Sequence, residues 1–276
     1  MIDRPTTRSL RLLAIGTAQG DDMRFAVEQL ESLADCRHVP SIGDATSVVQ
    51  ADAPHWICLL QSRTGQFAPR DVESLHQIAP LARLILVVGQ WSEGETRSGT
   101  PLAGVFRVAW HHLPYGLLWE RAAWEGGIPS RLALPRTSRL VDRVESYAQM
   151  NAPNRSKRDA PSNDGERSLV IVADHREAFE SLAESCRAAG WSSRWLRSTD
   201  AARDVGGPLV WIWGAWSEEF AREAAGWHRD APSLILTDFP RAAACGAIRR
   251  AGWDIAGRPL DDTYLAAWAG LRADHA

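Results

Sequence analysis

The sequence is poor in lysine and cysteine and has no long apolar run. One lysine, Lys157, stands among 31 basic residues, the rest being arginine. That skew reads as the mark of a GC-rich genome, because a net charge of −3 gives no support to guanidinium groups gathered for phosphate. The four cysteines, Cys36, Cys58, Cys186 and Cys245, form no Cys-x-x-Cys pair. This spacing argues against a disulfide framework or a structural zinc site and fits a reducing compartment. No stretch approaches the roughly 18 apolar residues of a membrane helix. The run Leu12–Ile15, after a polar start, is too short for a signal peptide, so the expected location is cytoplasmic with no membrane partner. A cationic body is also missing. Residues 1–127 hold 11 basic and 14 acidic groups, 128–166 hold 7 and 5, and 167–276 hold 13 and 15. Nucleic acid is therefore not an expected partner.

Catalytic signatures are lacking as well. There is no Walker motif, no Gly-x-Gly-x-x-Gly after a strand and no Gly-x-Ser-x-Gly elbow. The pair Gly16 and Gly20 is only a loose glycine turn. The expectation is no catalytic residue, no cofactor and no metal: not an enzyme.

What is present is a repeated order of strands and helices. At 276 residues and 45% hydrophobic, the chain has room for two globular domains. In the first half, strands are predicted at 12–16, 36–40, 56–60, 84–88 and 105–110. Helices are predicted at 21–33, 45–51, 70–78 and 115–124. In the first helix Phe25, Val27, Leu30 and Leu33 fall at helical spacing, behind Asp21 and Asp22 as start signals. The second half repeats the order. Strands are predicted at 169–172, 191–196, 209–213, 234–237 and 254–256, and helices at 178–189, 200–205, 218–227, 241–250 and 262–271. Strands alternating with helices imply a parallel sheet covered on both faces. The fold class is thus α/β, two tandem doubly wound parallel-sheet domains. Their predicted bounds are 9–127 and 167–272. The segment 128–166 joins them, with a helix over 137–150 that either docks on the first domain or dimerises, and a solvated linker over 151–166 rich in Pro, Asn and Ser.

The second half resembles a response-regulator receiver domain over about a hundred residues. Its opening, Leu169-Val-Ile-Val-Ala-Asp174, matches an apolar strand followed by an acidic pair, with Ala173 in the first place and only Asp174 kept. Thr237 stands where receivers carry the hydroxyl that contacts the phosphoryl group. Arg258-Pro259 stands where they carry lysine-proline, and the proline position is one where a cis peptide is common in the family. The strand Pro208-Leu-Val-Trp-Ile-Trp213-Gly214 departs, because Trp213 or Gly214 takes the place of the phosphoacceptor aspartate. Phosphotransfer to a receiver needs a carboxylate nucleophile and a Mg²⁺ held by carboxylate oxygens, and neither indole nor glycine offers one. The resemblance implies a non-phosphorylatable pseudo-receiver that signals or scaffolds through protein partners, with a homodimer as one option. The partner face of receivers maps to residues 241–271, with Arg241, Arg249, Arg250, Trp253 and Trp268. The first half resembles a receiver in element order alone, with Gln61 near the acceptor position and no lysine.

A rival site is the loop leaving the fourth strand of the first half. Trp91, Glu93, Glu95 and Arg97, joined by His111 or His112, could hold a polar ligand or a peptide. As adjacent strand residues, His111 and His112 are expected to face opposite sides and not to chelate one metal. The 13 tryptophans either pack in cores or form an exposed aromatic patch. Trp213 and Trp216 are expected to close the former acceptor pocket.

Overall fold

A computed structural model describes residues 9–95, 102–126, 132, 168–188, 191–197, 203–258, 260, 264, 265 and 268. The chain divides into two compact units, Met1–Pro161 and Ser162–Ala276. Arg97, Pro259, the helix expected at 137–150 and the linker at 151–166 lie outside the described residues, as does most of the helices expected at 200–205 and 262–271.

Unit one begins with β1 (Arg11–Ile15), α1 (Asp21–Leu33), β2 (Asp35–Val39) and α2 (Ile42–Ala51). It continues with β3 (Trp56–Arg63), α3 (Pro69–Ile78), β4 (Arg83–Trp91) and β5 (Phe106–Ala109). A 3₁₀ turn at Trp110–His112 then leads into α4 (Leu113–Gly116) and α5 (Leu118–Glu125). The sheet order is β2-β1-β3-β4-β5 and every pair is parallel. Central strands β3 and β4 are buried along nearly their whole length, as a sheet covered on both faces requires. On one face Leu13, Ile15, Ile57, Leu59, Leu84 and Leu86 pack with Val48, Val49, Val72 and Leu75 of α2 and α3. The helix starts follow local chemistry. Ser41 accepts the Asp44 N–H at 3.3 Å ahead of α2, and Pro69 opens α3.

Unit two runs β6 (Ser168–Val172), α6 (Arg176–Ala188), β7 (Ser192–Leu196), β8 (Leu209–Ala215), α7 (Glu218–Gly226), β9 (Ser233–Asp238), α8 (Ala242–Arg250) and β10 (Trp253–Gly257). Its sheet reads β7-β6-β8-β9-β10, again all parallel. Numbered within each unit, both orders are 2-1-3-4-5, the flavodoxin-like doubly wound arrangement. The core is aromatic. Trp211 of β8 meets Phe220, Trp227 and Trp253, with ring centroids 5.2, 5.4 and 5.8 Å away. No helix among the described residues is long and apolar enough to cross a membrane.

Three expectations need correction. The buried face of α1 is Met23, Ala26, Leu30 and Leu33, whereas Phe25 and Val27 are only partly buried. Phe25 lies to one side, where it meets Trp110 edge-on at 5.8 Å. His111 and His112 are not on a strand. β5 stops at Ala109 and a helix with Pro114 in its first turn begins directly after the pair, so both imidazoles sit in the 3₁₀ turn with ring centroids 4.4 Å apart. Finally, Trp253 and Trp268 of the expected partner face are core residues, each 1% exposed. Their indole N–H groups donate to Trp227 O at 2.7 Å and Asp254 Oδ2 at 2.8 Å.

Candidate functional site

In a doubly wound sheet, ligands and chemistry gather at the carboxyl ends of the strands. Each unit presents such an end.

In unit two the strand register brings the receiver-like positions together. Val172, the last residue of β6, pairs with Trp211, two residues before Trp213. Asp174 is exposed, while Ala173 is buried and its carbonyl accepts the Trp195 indole N–H at 2.9 Å. Trp213 lies flat on Phe220 of α7, with centroids 4.6 Å apart and planes at 17°, and Trp216 meets the same ring edge-on at 5.6 Å. Both indoles cover the first turn of α7 and leave Gly214 and Ala215 exposed. Thr237 is fully buried, and its hydroxyl donates to the Gly214 carbonyl at 2.8 Å. The Arg258 guanidinium forms two bonds to the Asp238 carboxylate, Nε to Oδ1 at 3.1 Å and Nη2 to Oδ2 at 3.0 Å. The Arg258 N–H also donates to Thr237 O at 3.0 Å, fixing the end of β10 to β9.

In unit one the strand ends are filled by the chain itself. Asp22, 2% exposed, accepts the N–H of Met23 at 2.9 Å and that of Gln90 at 3.0 Å. Gly89 permits this approach, because a Cβ there would lie 2.6 Å from Asp22 Oδ2 and 2.9 Å from Met23 Cε. Gln61, in the acceptor-like place, is fully buried and donates to Glu95 Oε2 at 3.1 Å, and Arg107 closes on the same oxygen at 2.9 Å. Glu93 Oε1 stands 3.2 Å from His111 Nε2. Burial pushes the Glu93 carboxyl up to about 7, against the opposing pull of His112 and the Trp110 indole. Of the loop residues singled out in the sequence, Glu93, Glu95 and His111 are thus brought together but face inward, and Trp91 is left 75% exposed. Sequence reading missed Gln61 and Arg107 as partners of Glu95, and the bond from Asp22 to Gln90. These contacts join residues far apart in the chain, and no local pattern marks them.

Among the described residues no group of three His, Cys, Asp or Glu side chains is placed to hold a metal ion. All four thiols are unpaired. Burial pushes Cys36, Cys186 and Cys245 up to about 12 and Cys58 well above its ordinary range, so none is poised as a nucleophile.

No family model and no curated protein matches the chain. Among solved structures it is similar to the C-terminus of Escherichia coli RcsC, containing a linker region and a phosphoreceiver domain, at 12% identity and a TM-score of 0.34 over 99% of this chain and 96% of that one. It is also similar to a protein provisionally described as pilus assembly-related from Burkholderia pseudomallei, at 16% identity and 0.35 over 42% of this chain and 96% of that one. A third, provisionally described as a two-component response regulator/GGDEF protein, is similar at 9% identity and 0.31, over 96% and 97%. The fold itself rests on strand order and register: two α/β units, each a five-stranded parallel sheet of receiver-like order.

Proposed function

We propose that this chain is a receiver-like signalling or scaffold protein that accepts no phosphoryl group and acts through contact with other proteins. The observation that carries this reading is the engagement of Thr237 and Arg258. In the resemblance drawn from the sequence, these are the hydroxyl and the cation that would meet a phosphoryl group. Here the hydroxyl is spent on the Gly214 carbonyl and the guanidinium on Asp238. Trp213, at the acceptor place, is turned onto α7. The strand end is held in one arrangement by internal bonds, and a lone exposed Asp174 offers neither a paired acid for Mg²⁺ nor a neighbour to raise its reactivity.

The rival reading, a small ligand held by the loop after β4, requires carboxylates that face outward. Glu95 is closed under Arg107 and Gln61, and Glu93 against His111, so no observation favours it.

Beryllofluoride with Mg²⁺ mimics a phosphoryl group on a carboxylate. Adding it to the protein should leave both the melting temperature and the amide spectrum unchanged. A rise of several degrees, abolished in Asp174→Asn, would contradict the reading.

A further inference from the structure

The sheet of unit two has an open side at β7, an edge strand that pairs with β6. The Ala173 N–H donates to Leu196 O at 3.1 Å, so Leu196, Arg194 and Ser192 turn their peptide groups toward β6. Peptide groups alternate in direction along a strand, and those of Ser193 and Trp195 therefore point away from the sheet. Lysine, proline and bulges blunt many natural edges. β7 has none of these and pairs with β6 in unbroken register. Its one charged residue, Arg194, lies on the face opposite to Trp195, whose ring stacks on Phe179 of α6 with centroids 5.9 Å apart.

Beside this edge lies a groove of about 770 Å³ between α6 and β7. Its apolar lining is Phe179, Ala183 and Trp191, and Ser192 and Ser193 border it on the strand side. Three charged residues of α6 border it on the helix side. Glu180 is bonded to Arg176 at 2.7 Å. Glu184 and Arg187 are exposed and, among the described residues, neither is in an ion pair. The groove thus carries one unpaired charge of each sign. Arg194 projects from the other face of the strand, and Arg197 lies beyond its end.

We infer that this edge is a two-fold contact between copies of the chain, in which β7 pairs antiparallel with β7 of a second copy and the two α6 helices come side by side over the joined sheets. The charge pattern selects the occupant. A partner of one sign would meet a like charge at Glu184 or at Arg187, whereas a copy turned by a two-fold axis brings acid to base from both sides. The outward peptide groups limit the register, because Ser193 and Trp195 must face Ser193 or Trp195 of the other copy. Ser193 against Trp195 sets Arg194 against its own counterpart, which repels. Trp195 against itself moves the two grooves apart. Ser193 against itself places Arg194 opposite Ser192 and Trp195 opposite Trp191, and lays groove on groove. The contact asks nothing of the strand ends, so it stands apart from the proposed function and goes beyond it by naming a surface and its occupant.

The test is sedimentation equilibrium of the full chain over a range of concentrations, with no phosphodonor and no Mg²⁺, so its outcome is separate from that of phosphorylation. The wild type should fit a monomer–dimer equilibrium with no larger species. Ser193→Pro removes an outward N–H that has no partner within the copy, and should weaken the dimer by about tenfold or more. Glu184→Arg and Arg187→Glu each leave the groove with one sign of charge, and each should weaken the dimer by about tenfold. Both positions are exposed, so the circular dichroism of each variant should match the wild type. Mixed in equal amounts, the two charge variants should dimerise more tightly than either does alone, because each then meets the opposite sign. A wild type that stays monomeric would assign the edge to a different protein and overturn the inference. Open-ended assembly, a dimer that none of the three variants weakens, or a mixture no tighter than its separate components would overturn it as well.

Discussion

At the scale of single residues, close approach of backbone and the fate of each buried polar group decide what can be changed. Gly252 has φ +93°, and a Cβ there would lie 2.1 Å from Arg229 O. Gly252→Ala should cost about 2–3 kcal/mol or more, read as a lower urea midpoint, because both the torsion and the space forbid a methyl group. Glu93 sets a pH dependence. Its carboxyl stays protonated to about 7 when folded but ionises from 4.5 when unfolded. Between those values the folded chain binds more protons than the unfolded one, so this group makes stability fall as pH rises through the window and level off above it. Glu93→Gln should therefore gain stability over wild type at about pH 8 and little at about pH 4, checked by urea unfolding at both. The opposite ordering would show that the bond to His111 outweighs desolvation. Local rules made part of this legible. Asp21 and Asp22 were readable as helix-start acids, but the inward reach of Asp22 to Gln90 depends on Gly89, 67 positions further on. Likewise nothing in Asp238-Phe239-Pro240 announces a left-handed phenylalanine, because that torsion is imposed by the Arg258 clamp from another strand.

Among elements, β8 holds the hub of the aromatic core of unit two, since Trp211 meets four aromatic neighbours, Trp213, Phe220, Trp227 and Trp253, and is 1% exposed. Trp211→Ala should destabilise the unit by roughly 3–5 kcal/mol and Trp211→Phe by clearly less, measured by chemical unfolding. Thr237→Val keeps shape but removes the bond to Gly214 O, and should cost about 1 kcal/mol with faster hydrogen exchange at the end of β8. Strands and helices were readable because apolar runs bounded by turn residues survive any tertiary context. Several boundaries were not: β3 runs on to Arg63 and β4 to Trp91, which was expected in the loop. α2 starts at Ile42, earlier than its apolar pattern, because Ser41 caps it. The pair His111 and His112 follows an apolar strand, yet Pro114 draws it into the helical connection. Amphipathic spacing in α1 also had two candidate faces, and only the sheet beneath selects Met23, Ala26, Leu30 and Leu33.

For the whole molecule, the same 2-1-3-4-5 order occurs twice, and each copy has dealt differently with its strand ends. Unit one fills them with a buried polar network centred on Glu95 and Gln61. Unit two ties its hydroxyl and its guanidinium to partners within the domain. The repeat was legible in sequence from the shared order of elements. The use made of each strand end was not, because it depends on contacts across the sheet. The most direct measurement is the intact mass of the full-length protein after incubation with acetyl phosphate and Mg²⁺. No phosphoryl adduct should form at any time point. A stoichiometric adduct on Asp174, lost in Asp174→Asn, would show that this strand end still performs phosphotransfer.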